Sequence, residues 1–520
     1  MLIKLKYLLL PLVLLFAFLL RARMFLHGDF YYLIDQARDL LLTKEIVVNH
    51  TLTLIGARTG LGGLFHGPIW LYMIAPFFAI FGGNPFLTLV PLFIIVSLTL
   101  VLLGFFVGWR LHNYYFGLLL ALILSVSSSL VSTVAYTTNA QMQPIVVILY
   151  LYATIEFIRG KDKFIILSSF LVGLGFQFES AFAVLLIFLT IFAVLLRGKL
   201  PSLRNILESI IAFILPLSTF ILFDLRHQFL MTKSFIRLFG SPIKPLPGYE
   251  KYASITFRFL DRLLGMRDSL SAPLFSNYGL TYVLLLIIFV IPILLLLGNL
   301  LGRKFSLNKE YLFLLFSPLI IFGLYVFYPL PLWPHYLLPV SIFTIILSAY
   351  SIKIIYAKNI FLKCLVCVFL LLLILPALQS ISSQYLSGKS YVLSSDGTYR
   401  NQLAVAEWVL NDSKGKESGY FVYSPGILTY NMDYLIWWVS KRDGYKTLTN
   451  QKLKITYLIM YPHLTDDMGA YTFWKKNVLR TNGKVILTKF FTGGITVQKL
   501  LIDKAEPAVD PNYYQSLIFR

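Results

Sequence analysis

PIWLYMIAPFFAIFG, residues 68–82, decides how the rest of the chain is threaded. The stretch is apolar throughout but only 15 residues long, with Pro76 inside it. At 1.5 Å per helical residue it reaches roughly 22 Å, short of a hydrocarbon core of about 30 Å. A span here inverts every later loop, whereas an interfacial helix along the outer leaflet leaves them in place. The interfacial reading is the expectation, because it puts the basic loops in the cytoplasm.

Those loops carry Arg110; Arg159, Lys161 and Lys163; Arg197, Lys199 and Arg204; Arg303, Lys304 and Lys309; and Lys353, Lys358 and Lys363, on alternate connections between apolar runs. The positive-inside rule places them, and the N-terminus, in the cytoplasm. Apolar runs at 8–20, 87–108, 114–134, 145–158, 164–177, 181–196, 205–223, 281–301, 311–327, 335–352 and 361–378 predict about eleven transmembrane helices. Residues 21–86 then form a first outer loop with interfacial helices, residues 224–280 a long outer loop, and everything from about 379 lies outside. Lys4 and Lys6 precede the first run and Arg21 and Arg23 close it, with no small-residue cleavage site, so a retained signal-anchor helix is expected.

Composition agrees with a polytopic membrane protein. Of 520 residues 58% are hydrophobic and only 13% charged, and the mean hydropathy is +0.76. The formal charge of +21 sits mainly in short loops, the pattern of topology signals and lipid-headgroup contacts, so nucleic acid is not an expected partner. Cys364 and Cys367 form a CxxC inside the apolar run Phe361–Pro376, where small packing residues are expected rather than a redox or zinc site.

The tail changes character. Gln402–Asn411 reads as a helix with Ala404, Val405, Trp408 and Val409 on one side. Gly419–Tyr423, Leu453–Tyr461 and Lys484–Gln498 read as strands, with Gly493-Gly494 as a hairpin turn. The expected organisation is therefore a transmembrane domain, 1–378, followed by a small extracytoplasmic α/β domain, 379–520. Trp437, Trp438 and Trp474 suit either sugar stacking or core packing.

In a chain this sparing of charge, Asp35-Gln36-Ala37-Arg38-Asp39 stands out. Gly28-Asp29 followed by Phe30–Thr43 predicts a helix with Asp29 as N-cap. Phe30, Ile34, Ala37 and Leu41 then share an apolar face, and Tyr31, Asp35, Arg38 and Asp39 the polar one. Either the acids are a solvated face or they carry chemistry. Gln177 and Glu179 interrupt the apolar stretch 164–196, where a charge at mid-membrane costs several kcal/mol; an outer turn or a substrate cavity both remove that cost.

Asp35-Gln36-Ala37-Arg38-Asp39, then Leu54-Ile55-Gly56, then Phe65-His66-Gly67-Pro68-Ile69-Trp70-Leu71-Tyr72, together resemble bacterial relatives of the dolichyl-phosphate-mannose–protein mannosyltransferases. These belong to the GT-C-fold membrane glycosyltransferases, which include the aminoarabinose transferases. Asp224-Leu225-Arg226-His227 and Pro334-His335-Tyr336-Leu337-Leu338-Pro339 look like the same family, and the resemblance covers about 1–350.

The resemblance implies transfer of a sugar, hexosyl or pentosyl, from a polyprenyl-phosphate-linked donor at the outer face of the cytoplasmic membrane. Asp35 matches the general base, with Asp39, Arg38 and Asp29 in support. Arg226 and His227 are the first candidates for the donor phosphate, with Lys244, Lys233 and Arg38 behind them, although Arg226 also reads as an interfacial anchor. His66, Gln141, Gln177, Glu179 and His335 are candidates for the substrate cavity, and Asn139 and Gln143 offer further amides. Many relatives carry Asp-Glu where this chain has Asp35-Gln36, which leaves a divalent metal open. The acceptor, whether protein, glycolipid or envelope glycan, is not specified. A flippase of lipid-linked saccharide, with charges at mid-span, and a non-catalytic carbohydrate-binding scaffold are the rival readings.

Overall fold

The computed structural model describes residues 7–240, 249–270, 308–356, 360–387 and most of 392–513, with isolated positions between 290 and 294. Two compact units emerge. The first comprises Met1–Arg23, Leu54–Trp70 and Phe93–Gly388; the second comprises Met24–Thr53, Leu71–Leu92 and Lys389–Arg520.

In the first unit the apolar runs become helices. Across the described residues, seven helices are long and apolar enough to cross a membrane, or up to eight if the bent pair Tyr114–Val126 and Ser128–Tyr136 is one span. The first helix, Leu9–Ala22, has 14 residues. Phe164–Phe178 has 15, and the expected span 281–301 lies outside the described residues. Leu203–Arg226 is built inside out: Asn205 and Ser209 are buried while Ile211 and Leu215 are exposed, as suits a helix with lipid on one side. It packs against Phe164–Phe178 so closely that a Cβ on Gly173 would overlap the Phe213 carbonyl.

Two polar features organise this unit. Arg21 is fully buried, and its guanidinium donates to Ser97 Oγ (2.6 Å), Ala17 O (3.1 Å), Ser125 O (3.0 Å) and Leu124 O (3.3 Å). Leu124 and Ser125 end the Tyr114–Val126 helix, whose last carbonyls lack helical partners, so the arginine caps the 57° break. Elsewhere the basic loop residue Arg159 bridges Glu156 (2.8 Å) and Glu310 (2.6 Å), and Tyr350 donates to the same Glu310 (3.1 Å).

The second unit contains a four-stranded sheet, order β1-β2-β4-β3, with β1 Gly419–Tyr423, β2 Ile455–Met460, β3 Lys484–Phe490 and β4 Thr496–Leu501. β1 and β2 are parallel; the other pairs are antiparallel. Gly493 and Gly494 have φ of 85° and 80°, the left-handed geometry of the expected hairpin turn. The expected helix extends over Tyr399–Ser413. A helix absent from the sequence reading, Tyr430–Asp443, lies between β1 and β2. Trp438 and Trp474 belong to the core, at 5% and 7% exposure, so they stack on protein rather than sugar.

This unit also corrects two expectations. The acidic helix runs over Ile34–Val47, not Phe30–Thr43. Residues 30–32 instead pair with the tail: Tyr32 N donates to Gly397 O (2.9 Å) and Tyr399 N to Phe30 O (3.0 Å). Asp29 therefore does not cap its own segment. Its Oδ1 accepts from Phe30 N (2.9 Å) and from Arg400 N (3.1 Å), in the first turn of Tyr399–Ser413, and so caps a helix some 370 residues away in sequence. Asp29→Ala should cost about 1–2 kcal/mol, as lost caps do. It should appear as a lower thermal midpoint with undiminished turnover at permissive temperature.

Residues 68–82 form a short apolar helix, Ile69–Ile80, as the interfacial reading expects, with Tyr72, Pro76 and Ile80 exposed and Phe78 buried. Within the second unit Phe78 is 1% exposed, stacks on Trp437 (6.2 Å) and meets Tyr434 edge-on (6.4 Å). Tyr434 in turn donates to Gly83 O (2.6 Å).

Candidate functional site

The acidic helix is fixed by its own start. Gln36, at its third position, turns back so that Oε1 accepts from Leu33 N (3.1 Å), satisfying one of the free amides of a helix start. This gives the residue that departs from the family pattern a structural task. The buried side is Gln36, Ala37, Asp39, Leu40 and Thr43, not the Ile34–Ala37–Leu41 face. Burial then splits the three charges. Asp39 is 2% exposed, while the Asp35 side chain is 56% exposed.

Arg38 joins them. Nη1 donates to Asp35 (2.7 Å), while Nε and Nη2 both reach Asp39 Oδ1 (3.1 and 3.0 Å). Burial opposes the guanidinium's charge, but Asp39 and then Asp35 outweigh it and hold its pKa above the ordinary arginine value. Asp39 neutralises the cation from inside, and Asp35 is left as an accessible carboxylate held by one charge-assisted bond.

In the first unit several motif residues meet. Residues 55–67 fold as a small hairpin, with Gly56 N donating to His66 O (2.7 Å) and His66 N to Ala57 O (2.9 Å). A Cβ on Gly56 would overlap the Gly67 carbonyl, which explains the glycine of Leu54-Ile55-Gly56. Ile55 and Phe65 pack on Phe223, and Phe223 stacks on His227 at 4.0 Å. Gly67 N donates to Gln177 O (2.8 Å). His66 is half-buried here.

Asp224, the first residue of the Asp-Leu-Arg-His run, is committed to structure. Its carboxylate accepts from Met231 N (2.6 Å), Thr232 N (2.9 Å) and Thr232 Oγ1 (2.6 Å), capping the helix Leu230–Gly240. The turn between passes through Gln228 and Phe229, with φ of 55° and 60°. His227 Nδ1 meets Phe223 O (2.8 Å). Arg226 is exposed on this turn, as is Lys233 beyond it. Lys244 lies outside the described residues.

Gln177 and Glu179 are both buried, at 0% and 4% exposure. Gln177 Nε2 donates to Pro216 O (2.6 Å) and Thr219 Oγ1 (3.1 Å), tying its helix to Leu203–Arg226. Glu179 begins the next helix, accepting from Ala181 N (3.2 Å), with His335 Nε2 3.9 Å from its other oxygen. Burial raises its pKa to about 7. Gln143 donates to the Glu179 carbonyl (2.8 Å) and Asn139 to the Phe178 carbonyl (2.5 Å). Gln141 is spent locally, its Oε1 accepting from Thr138 N (2.7 Å).

Arg262 escaped the sequence reading. It is 1% exposed, and besides its ion pair with Asp261 it donates to Leu330 O (2.5 Å), Tyr328 O (3.3 Å) and Tyr325 O (3.4 Å), fixing the loop that precedes His335. An arginine in the middle of the amphipathic helix Ile255–Leu270 was the available signal. As for a metal, no group of three His, Cys, Asp or Glu side chains gathers to hold one among the described residues.

No family model and no curated protein matches the sequence. Solved structures do match the fold. ArnT of Cupriavidus metallidurans in the apo state is similar with a TM-score of 0.56 at 11% identity, covering 95% of this chain and 97% of that one. The same protein bound to undecaprenyl phosphate gives 0.56 at 12% identity, over 96% and 99%. The oligosaccharyltransferase of Archaeoglobus fulgidus in the apo form gives 0.50 at 11% identity, covering 86% of this chain and 64% of that one. What is shared at such low identity is architecture: this multi-pass chain has the GT-C fold.

Proposed function

We propose that the protein is a membrane glycosyltransferase that moves a hexosyl or pentosyl group from a polyprenyl-phosphate-linked donor to an acceptor hydroxyl. It works at the outer face of the cytoplasmic membrane, with the N-terminus cytoplasmic and the tail extracytoplasmic. One observation carries this reading: Asp35 is an accessible carboxylate held by an arginine whose charge a second, buried carboxylate already balances. Likeness of fold to ArnT, which has been seen with undecaprenyl phosphate bound, supports the donor class.

In this reading an Asp35 oxygen takes the acceptor's hydroxyl proton as that oxygen bonds to the anomeric carbon. The bond from the anomeric carbon to the phosphate oxygen breaks, and polyprenyl phosphate departs with the electron pair. The candidates that the resemblance supplied for the phosphate charge are Arg226, exposed on the turn that Asp224 holds, and the half-buried His227. The acceptor is a protein, a glycolipid or an envelope glycan.

The test is direct. Purified protein should release polyprenyl phosphate from a polyprenyl-phosphate-linked sugar in the presence of an envelope extract, and deletion should remove one sugar mass from an envelope glycan. No turnover on hexosyl or pentosyl donors, together with unchanged glycan masses, would overturn the reading.

A further inference from the structure

Two lysines gather at Trp437 in the second unit. Lys44 Nζ stands 4.8 Å from the centre of its ring and Lys441 Nζ 5.5 Å. The two ammonium groups are therefore within roughly 10 Å of each other, about one screening length in dilute salt. Neither has a carboxylate partner among the described residues. Each lysine lies in the last turn of its own helix, Ile34–Val47 or Tyr430–Asp443, where a cation suits the helix dipole. That accounts for each alone, not for two like charges brought to one indole. The acids beside them in sequence are engaged, Asp443 with Arg442 (2.7 Å) and Glu45 with Asn49 (2.8 Å).

The surface next to this pair is apolar. Phe78 stacks on Trp437, which brings the helix Ile69–Ile80 against it. The exposed row of that helix is Tyr72, Pro76 and Ile80, spaced by four residues, with Ile80 74% exposed. Tyr72 Oη bonds both Thr53 N (3.0 Å) and Thr53 O (2.8 Å), which draws in Leu52, 79% exposed. Val48, one turn past Lys44, is exposed as well. Residues 68–92 hold no charged side chain. An exposed apolar patch rimmed by charge marks an interaction surface.

We propose that this surface binds an anionic phospholipid of the bilayer, with Leu52, Tyr72, Pro76 and Ile80 against its acyl chains and its phosphate held by Lys44 and Lys441 at Trp437. The parts match the layers of a membrane interface: apolar side chains below the headgroups, an indole at the boundary, and lysine stems that reach the phosphates. Charge selects the lipid. A zwitterionic headgroup brings its own ammonium, which two lysines repel, whereas an anionic one relieves their mutual repulsion. A soluble anion would satisfy the lysines but not the apolar row, and an uncharged partner would leave two cations together. Headgroup capture ties the helix that carries Asp35 to the bilayer surface. The site is independent of the transfer chemistry above.

The test places the full-length protein in nanodiscs of phosphatidylcholine, alone or mixed with phosphatidylglycerol, and measures acetylation of each lysine by mass spectrometry. Lys44 and Lys441 should react about fivefold or more slowly in the anionic discs, the attraction of one lysine to an anionic surface. Lys414, exposed in the same unit, should react equally in both. Lys44→Gln should return most of the Lys441 rate, and Ile80→Asp most of the rate of both lysines, with thermal melting as the folding control. Glycerol phosphate added to phosphatidylcholine discs should slow neither lysine. Equal rates in the two lipids, equal slowing of Lys414, or undiminished protection of Lys441 in folded Lys44→Gln overturns the site. Protection by glycerol phosphate overturns the lipid in favour of a soluble anion. Full protection already in phosphatidylcholine overturns it in favour of a protein or neutral-lipid cover.

Discussion

Asp35→Asn is expected to lower sugar transfer by about 10²–10⁴-fold, the usual contribution of a positioned general base. Asparagine keeps the size and one acceptor oxygen but cannot take a proton at neutral pH. Insertion and folding should be unchanged. Asp35 is more than half exposed, and an ion pair of that exposure contributes on the order of 1 kcal/mol or less. Arg38 also keeps its bonds to Asp39, so the helix retains its buried charge pair. The measurement is kcat on a lipid-linked donor, with thermal melting as the control. A folded Asp35→Asn protein with wild-type kcat would move the base to Asp39 or Asp29. Neither is well placed for it, since Asp39 faces inward against Arg38 and Asp29 caps the Tyr399–Ser413 helix.

Ending the chain at residue 388 should destroy the acidic helix's support as well as the tail. Phe30 and Tyr32 are fully buried and Phe78 is 1% exposed. Their partners include Tyr399, Tyr434 and Trp437 in the tail. Re-exposing three such side chains costs roughly 5–9 kcal/mol at about 1.5–3 each. That compares with the whole stability of an ordinary domain, about 5–15 kcal/mol. Polar contacts add to it, because the Tyr32 carbonyl accepts from both Gln402 Nε2 (2.9 Å) and Asn431 Nδ2 (2.8 Å). The shortened protein should show no transfer and rapid proteolysis within 24–53. Wild-type protease resistance of that segment would show that the tail is dispensable to it.

The acidic cluster shows how far residue patterns carry. Charge in an apolar chain singled it out, and helix periodicity placed Asp35, Arg38 and Asp39 on neighbouring positions. Periodicity could not say which side another helix covers. Packing against Tyr430–Asp443 makes Leu40 and Thr43 the inner side, which takes Asp39 in and leaves Asp35 out. The Asp-Leu-Arg-His run behaved similarly: it was conspicuous in sequence, yet its aspartate proves to be a cap, while Leu225 and Arg226 are exposed and His227 is half-buried.

By itself the sequence determined the membrane class, most of the helices, the α/β tail with its Gly493-Gly494 turn and the GT-C resemblance. Those follow from local quantities: hydropathy over a bilayer's thickness, strand and helix periods, and glycine's tolerance of positive φ. Tertiary structure alone decided that residues 24–53 and 71–92 belong with 389–520, that Asp29 caps a distant helix, and that Glu179 faces His335. The physical reason is the same in each case. Backbone donors and buried charges take partners by proximity in space, and no local pattern encodes which distant segment will supply them.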